Sequence, residues 1–426
     1  MSLSRHIGLT FLIQLLAFTA GAANHVLLSR WLGPAQLGLF ALFLATVDGL
    51  KKSVPLGQES SLLYFVSNRR YDDRALLSTI AWSGVILFVG AAAVGALLVE
   101  SGVLADLFGG TLGMAGPMAS AILTAMLLAA MVHEWGGNLW LGRQRFPRYN
   151  AGVLIPPLLL GAFLVTALLL GRLTLATALG LYALSWLLPG LWWWWRAGNP
   201  FRAVWDRAVA GDALRYGVPS MSNRALDFLI KRADLFIVSM LIGDAASGWY
   251  AVAVMVGERL HYLANATWIV LLPAAARTPE RHGQVPLIAR GNLLVVMVGA
   301  ILAALLAGPV VPFLFGEAFR PAVEALLALL PGMIAQTLPR VLAADFGARG
   351  RPGFNAVVSL VNLAVMVPGS VLLIPEMGIV GAGIAVSVAG VVSAVVALGL
   401  YRRLSGEPLS RVLLPRRGDW RALREM

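Results

Sequence analysis

Long apolar runs recur along the whole chain, each followed by a short polar or glycine-containing segment. A helix that crosses the bilayer core, which is about 30 Å thick, needs roughly 20 mostly apolar residues, and these runs have that length. Because lipid offers the backbone no hydrogen-bond partner, such segments close their hydrogen bonds within α-helices. The pattern predicts an all-α, polytopic membrane protein with about twelve transmembrane helices.

We place the spans of the first half at residues 7–28, 37–60, 76–99, 115–140, 151–171 and 174–195, and those of the second half at residues 214–241, 246–272, 287–313, 322–345, 354–374 and 379–401. Residues 7–22, with Arg5 before them, also have the layout of a signal peptide. We interpret them as a span, because the apolar run continues to Leu28 and aligns with a later span.

The arginine residues alternate between the connections and indicate which side of the membrane each connection faces. With the amino terminus inside, the inner segments hold Arg5, Arg69, Arg70, Arg74, Arg143, Arg145, Arg148, Arg196, Arg202, Arg207, Arg215, Arg277, Arg281, Arg290, Arg349, Arg351 and the arginines of the tail. The outer segments hold Arg30, Arg172 and Arg320. The positive-inside rule therefore predicts a multi-pass protein with both termini in the cytoplasm.

Composition narrows the function classes. The chain is 59% hydrophobic and 13% charged, which leaves too little polar surface for a soluble protein of 426 residues. The net charge of +12 follows the membrane topology, so we do not expect a nucleic-acid partner. The absence of cysteine excludes disulfides and thiolate metal sites, and we expect neither a metal nor a cofactor.

The two halves of the chain resemble each other. LSRWLGPAQLGLFA at 28–41 aligns with VSMLIGDAASGWYA at 238–251, an offset of 210 residues that pairs Gly33 with Gly243. LGRQRFPRYNA at 141–151 aligns with FGARGRPGFNA at 346–356, an offset of 205. We interpret the chain as a duplicated six-span unit with parallel repeats: an N-terminal bundle at 1–200, a C-terminal bundle at 201–403 and a basic cytoplasmic tail at 404–426.

Charged residues inside the spans are the candidate functional residues, because an ionised group in hydrocarbon needs a partner or a cavity. Arg224, Asp227, Lys231 and Asp234 fall on one face of the seventh helix. Asp48, Lys51, Lys52, Gln58 and Glu59 should share a face of the second span, and Glu258 and His261 lie at matching positions on the eighth. The remaining candidates are Glu134, Arg232 and Arg340.

Two readings of these charges stay open. The residues of the seventh helix are spaced to form local ion pairs, Arg224 with Asp227 and Lys231 with Asp234. Alternatively, the charged faces line a water-filled cavity. The chain's three lysines, Lys51, Lys52 and Lys231, all lie in predicted spans, and a compact ammonium group pairs well with phosphate oxygens.

Several segments resemble a known family: LSRWLGPAQLGLFAL, SNRALDFLI, DLFIVSMLIG, GWYAVAVMVGERL with VLLPAAAR, and LGRQRFPRYNA. They are similar to the polysaccharide-transporter branch of the multidrug, oligosaccharidyl-lipid and polysaccharide flippase superfamily. The resemblance implies two six-helix bundles in a V around a central cavity, alternating access, and cationic residues that meet the pyrophosphate of a polyprenyl-linked oligosaccharide. Carried over by position, those residues are Arg224, Lys231, Lys51 and Lys52, and Arg232 and Arg340 are added as further cavity cations.

The resemblance thus implies a flippase for cell-surface polysaccharide biosynthesis in a bacterial inner membrane, whose partners are the lipid-linked sugar, membrane lipids and other assembly proteins. The acids and the histidine, Asp48, Glu134, Asp227, Asp234, Glu258 and His261, are assigned to coupling or to structural ion pairs.

Two other functions are weighed against it. In a cation-coupled multidrug exporter, Asp48, Glu134 and Glu258 would be proton or sodium sites. A membrane glycosyltransferase or polymerase needs a sizeable outer loop with catalytic acids, whereas the longest outer connection, near 100–114, holds only Glu100 and Asp106. We therefore predict a protein that is not an enzyme and has no catalytic residue.

Overall fold

A computed structural model describes residues 3–101, 116–198, 204–277, 285–349, 351 and 353–413. These residues form helices and connections, with no strand among them. The helices are α1 (Leu3–Ser53), α2 (Gln58–Asn68), α3 (Asp73–Glu100), α4 (Gly116–Gly142), α5 (Phe146–Leu169), α6 (Leu175–Ala197), α7 (Arg207–Ile242), α8 (Asp244–Arg277), α9 (Val285–Phe315), α10 (Ala322–Ala348), α11 (Gly353–Ser405) and α12 (Ser410–Leu413), with a 3-10 turn at Glu317–Phe319.

Two of the helices each contain two spans. Gly33 interrupts α1 with φ 72°, and Gly378 interrupts α11 with φ 60°. With these breaks, the described helices provide one segment for each of the twelve predicted spans. Among the described residues, eight helices are long and apolar enough to cross a membrane, α1 and α11 among them. The helices α7 and α8 hold many of the charged candidates. The all-α polytopic fold is confirmed.

The predicted second span, residues 37–60, is wrong at its carboxyl end. The helix ends at Ser53, a turn covers residues 54–57, and α2 begins at Gln58. Pro55 precedes two residues with positive φ, Leu56 at 51° and Gly57 at 74°, and this backbone cannot continue a helix. The periodicity predicted that Gln58 and Glu59 share a helix face with Asp48. Because the helix is broken between them, they do not.

The chain divides into two compact units, residues 1–229 and 230–426, with the boundary inside α7. The first unit has a core that includes Leu62, Phe65, Ile80 and Leu139. Val209 and Ala213 at the start of α7 belong to that same core. The second unit has its own core, in which α9, α10, α11 and α12 meet around Leu342, Phe346, Tyr401 and Val412. The division at residue 200 remains a prediction.

Large apolar side chains lie on the outer surfaces of the long helices. Leu169 is 82% exposed, Phe313 73% and Leu305 72%. A water-soluble protein rarely exposes such surfaces, whereas lipid solvates them. The outer connection at 102–115 and the tail from residue 414 lie outside the described residues, so the predictions made for them are not tested.

Candidate functional site

A cluster of two lysines and one aspartate lies near the carboxyl end of α1. The Lys51 ammonium is 3.1 Å from one carboxylate oxygen of Asp48, and the Lys52 ammonium is 3.0 Å from the other. Their positions three and four residues after Asp48 place all three side chains on one side of the helix. Among the described residues, Asp48 is the one carboxylate within 4.0 Å of either ammonium. This lysine cluster carries a formal charge of +1.

The lysine cluster also touches α7. The Lys52 ammonium is 5.5 Å from the centroid of the Phe228 ring, a cation–π distance. The same ring lies against Gly49, where an added Cβ would come within 2.7 Å of its edge. A glycine at position 49 therefore lets the ring of Phe228 approach the backbone next to the two lysines.

The second cluster joins three helices of the first unit through Arg224. One terminal nitrogen of Arg224 on α7 donates to Glu59 on α2, and the other donates to Glu134 on α4, each at 2.5 Å. The Glu59 side chain is fully buried, and its Oε2 has no hydrogen-bond partner within the described structure. This arginine cluster of one cation and two carboxylates has a formal charge of −1.

Two further charged candidates, Arg232 and Asp234, lie in the second unit. Arg232 on α7 is 3.3 Å from Glu258 on α8. Asp234 is buried and accepts hydrogen bonds from the Tyr250 hydroxyl at 2.7 Å and from the backbone N–H of Leu235 at 2.8 Å. These contacts tie α7 to α8 just before and after the Gly243 turn, and they give Asp234 neutral donors.

The other predicted site residues are placed as follows. His261 is buried on α8, with Nε2 2.8 Å from the Met333 carbonyl oxygen on α10. Asp227 and Lys231 are exposed on α7, and Arg340 is half-buried on α10. The structure thus brings Asp48, Lys51 and Lys52 together, and Arg224 and Glu134 together, while Arg232 and Glu258 form a pair in the other unit.

Sequence reasoning missed several residues of these clusters. Tyr250 and Phe228 gave no signal, because their roles depend on helices that meet only in the fold. Glu59 was grouped with Asp48 on one helix face, although it forms an ion pair with Arg224. The turn signal Pro55-Leu56-Gly57 lies two residues before Glu59 and predicts a helix break at that point.

A family model described as a polysaccharide biosynthesis protein matches residues 27–324, well over half of the chain. No curated protein sequence matches the chain. Among solved structures, the chain is similar to the lipid II flippase MurJ in an inward closed conformation, with 14% identity, a TM-score of 0.74, and coverage of 95% of this chain and 89% of that one.

Two further solved structures have related folds. An inward-facing multidrug resistance transporter of the MATE family is 16% identical with a TM-score of 0.70, covering 92% of this chain and 94% of that one. A transporter of the same superfamily from Pyrococcus furiosus, described as having a binding pocket of reversed polarity, is 16% identical with a TM-score of 0.58, and 94% of each chain is covered. At these identities the similarity shows the fold.

Proposed function

The chain belongs to the polysaccharide biosynthesis protein family, and on that premise we propose that it flips a polyprenyl-pyrophosphate-linked oligosaccharide from the inner to the outer leaflet of a bacterial inner membrane. Transport proceeds by alternating access and without covalent chemistry. Both termini lie in the cytoplasm, and the basic tail rests on the anionic inner leaflet. The similarity of the fold to that of a lipid flippase supports this proposal.

The lysine cluster carries the proposal. Lys51 and Lys52 share the single carboxylate of Asp48, so one positive charge is left over for an anionic ligand. Their side chains are 27% and 15% exposed, which leaves the ammonium groups partly dehydrated. An ammonium in such a place binds a phosphate oxygen more strongly than one in bulk water does. Lys231, Arg232 and Arg340 are proposed as secondary contacts.

Flipping in reconstituted vesicles tests the proposal. Purified protein is reconstituted with a fluorescent polyprenyl-pyrophosphate-linked sugar, and transfer between leaflets is measured. We expect the Lys51→Met, Lys52→Met double variant to flip about tenfold more slowly or worse, because it removes both ammonium groups and even a single charged contact contributes about 1.5–3 kcal/mol. The Lys51→Arg, Lys52→Arg variant is the matched control, since it keeps both charges.

Two outcomes count against the proposal. Unchanged flipping in the double methionine variant would remove the lysine cluster from the substrate path. Efflux of cationic dyes by protein that flips no lipid would identify a multidrug exporter, the alternative within the same superfamily. Native mass spectrometry of co-purified lipid gives an independent readout, in which a retained polyprenyl-pyrophosphate sugar supports the proposal.

A further inference from the structure

The first part of α7 presents one face to residues 49–61. Ala213, Gly217, Ser220, Arg224 and Phe228 follow one another at spacings of three or four residues, which places them along one side of a helix. Each of them contacts the segment that runs from the end of α1 into α2. We call this series the α7 ladder. The residues of the ladder and these partners all belong to the first compact unit.

The first three contacts of the α7 ladder, made by Ala213, Gly217 and Ser220, are close and uncharged. The Ser61 hydroxyl donates to the Ala213 carbonyl oxygen at 2.7 Å, and the Ser220 and Ser60 hydroxyls are 3.0 Å apart. Between them the two backbones nearly touch, since a Cβ added to Gly57 would overlap the Gly217 carbonyl group. The turn at 54–57 therefore fits closely against α7.

Arg224 forms the charged contact of the ladder. Both terminal nitrogens of its guanidinium donate to protein carboxylates, and the carboxylate of Glu59 is fully buried. A phosphate at this point would meet two carboxylates around one guanidinium, a formally negative surface. Attraction between Arg224 and an anionic substrate is therefore offset by repulsion from Glu59 and Glu134.

The last contact of the ladder reaches the lysine cluster. Phe228 follows Arg224 by one helical turn, and its ring lies against Gly49 and below the Lys52 ammonium. A shift of α7 relative to α2 and α4 would move this ring and with it the wall beside Lys52. The position of the lysine cluster is thus linked to the ion pairs of Arg224.

We propose that Arg224 is a positioning residue, which holds residues 213–228 of α7 on the first unit and so fixes the surroundings of Lys52, and that it does not bind the transported phosphate. This inference rests on the proposed function of the lysine cluster. It also implies that the α7 ladder stays closed during transport.

The experiment exploits the absence of cysteine from the chain. Arg224→Met alone leaves Glu59 buried without a partner and risks misfolding, so the principal variant is the triple Glu59→Gln, Glu134→Gln, Arg224→Met, which removes the ion pairs without leaving an unpaired charge. Ser60→Cys and Ser220→Cys are then added, because their hydroxyls are 3.0 Å apart and a disulfide between them can replace the lost contact.

We expect the triple variant to flip the polyprenyl-pyrophosphate-linked sugar roughly ten- to a hundredfold more slowly, as happens when a binding group is misplaced by about 1 Å. Oxidation of the cysteine pair should raise the rate back to near the wild-type value and raise the Tm, and reduction of the same sample should reverse both. The cysteine pair in the otherwise unchanged protein should flip equally well when oxidised and when reduced.

Two results would overturn the inference. If the oxidised triple variant regains its Tm but stays inactive, the charged groups of the arginine cluster take part in transport beyond positioning α7. If oxidation inactivates the cysteine pair in the otherwise unchanged protein, the ladder opens during transport. The Lys51→Met, Lys52→Met variant, with Ser60→Cys and Ser220→Cys added, separates this inference from the proposed function, because oxidation of its cysteine pair should not rescue flipping.

Discussion

Asp212, near the start of α7, has partners from distant parts of the chain. It accepts a hydrogen bond from the Tyr71 hydroxyl at 2.6 Å and one from Arg70 at 2.5 Å, and Arg215 lies 3.9 Å away. The hydrogen bond from Tyr71, with the charges of Arg70 and Arg215, lowers the pKa of the Asp212 carboxyl below its ordinary 3.8. The same bond raises the pKa of Tyr71.

This lowered pKa predicts a pH-dependent stability. A carboxyl whose pKa is lower in the folded state stabilises the fold above the ordinary pKa, and the effect is lost as the pH falls through the folded value. Asp212→Asn should therefore lower the Tm at pH 7, and its difference from the wild type should shrink below pH 3.8. The exposed Glu376→Gln serves as control. A Tm difference that is constant from pH 7 to pH 3 would contradict the assignment.

The ion-pair partners of Arg224 could not be predicted from the sequence. Its sequence neighbour Asp227 offered a local ion pair, and helix periodicity alone favours such a pair. The structure gives Arg224 two carboxylates that are 165 and 90 positions away. Burial explains why Arg224 pairs with Glu59 and not with Asp227. The carboxylate of Glu59 is fully buried and requires a cation, whereas Asp227 is exposed.

At the scale of elements, the sequence predicted the turns that end helices better than the contacts between helices. Gly33 and Gly243 were aligned by the repeat, and both have positive φ, 72° and 97°. Gly171 and Gly378, 207 residues apart, form a further pair at 65° and 60°. Each of these turns depends on the backbone of one glycine, so the local sequence predicts it. The break at 54–57 was overlooked because the polar residues on its two sides keep a helical spacing.

The close contact of α7 with the turn at 54–57 predicts that a methyl group added at Gly217 lowers the stability of the fold. A Cβ on Gly217 would overlap the backbone around Leu56 and Gly57, which cannot move aside as a side chain would. Overpacking costs about 1–3 kcal/mol, and the roughly 1 kcal/mol by which alanine favours a helix over glycine offsets only part of it. Gly217→Ala should therefore destabilise the first unit and lower the Tm.

Gly211→Ala is the matched control on the same helix, because a Cβ there has no described atom within 4 Å. It should leave the Tm unchanged or raise it, since only the helix preference of alanine then acts. Equal effects of the two substitutions would show that the turn at 54–57 does not press against α7.

On the scale of the whole molecule, charge and apolar surface together predict how the chain sits in a membrane. The net charge of +12 comes from arginines placed in alternate connections, and the exposed leucines and phenylalanines of the helices need lipid around them. The fold class followed from composition and span length alone. The orientation follows from the positive-inside rule, a statistical property of insertion, and remains a prediction.

Single cysteines test the orientation directly, because the wild-type chain has none to interfere. Ser67→Cys and Val204→Cys lie at exposed positions in predicted cytoplasmic segments, and Ser101→Cys and Leu170→Cys at exposed positions next to predicted outer connections. In intact cells a membrane-impermeant maleimide should label the second pair, and it should label the first pair only after permeabilisation. Each variant removes no charge, so the arginine distribution that sets the orientation is unchanged. If Ser67→Cys is labelled from outside and Leu170→Cys is protected, the topology is the inverse of the predicted one. The end of α1 that carries the lysines would then lie nearer the outer face of the membrane.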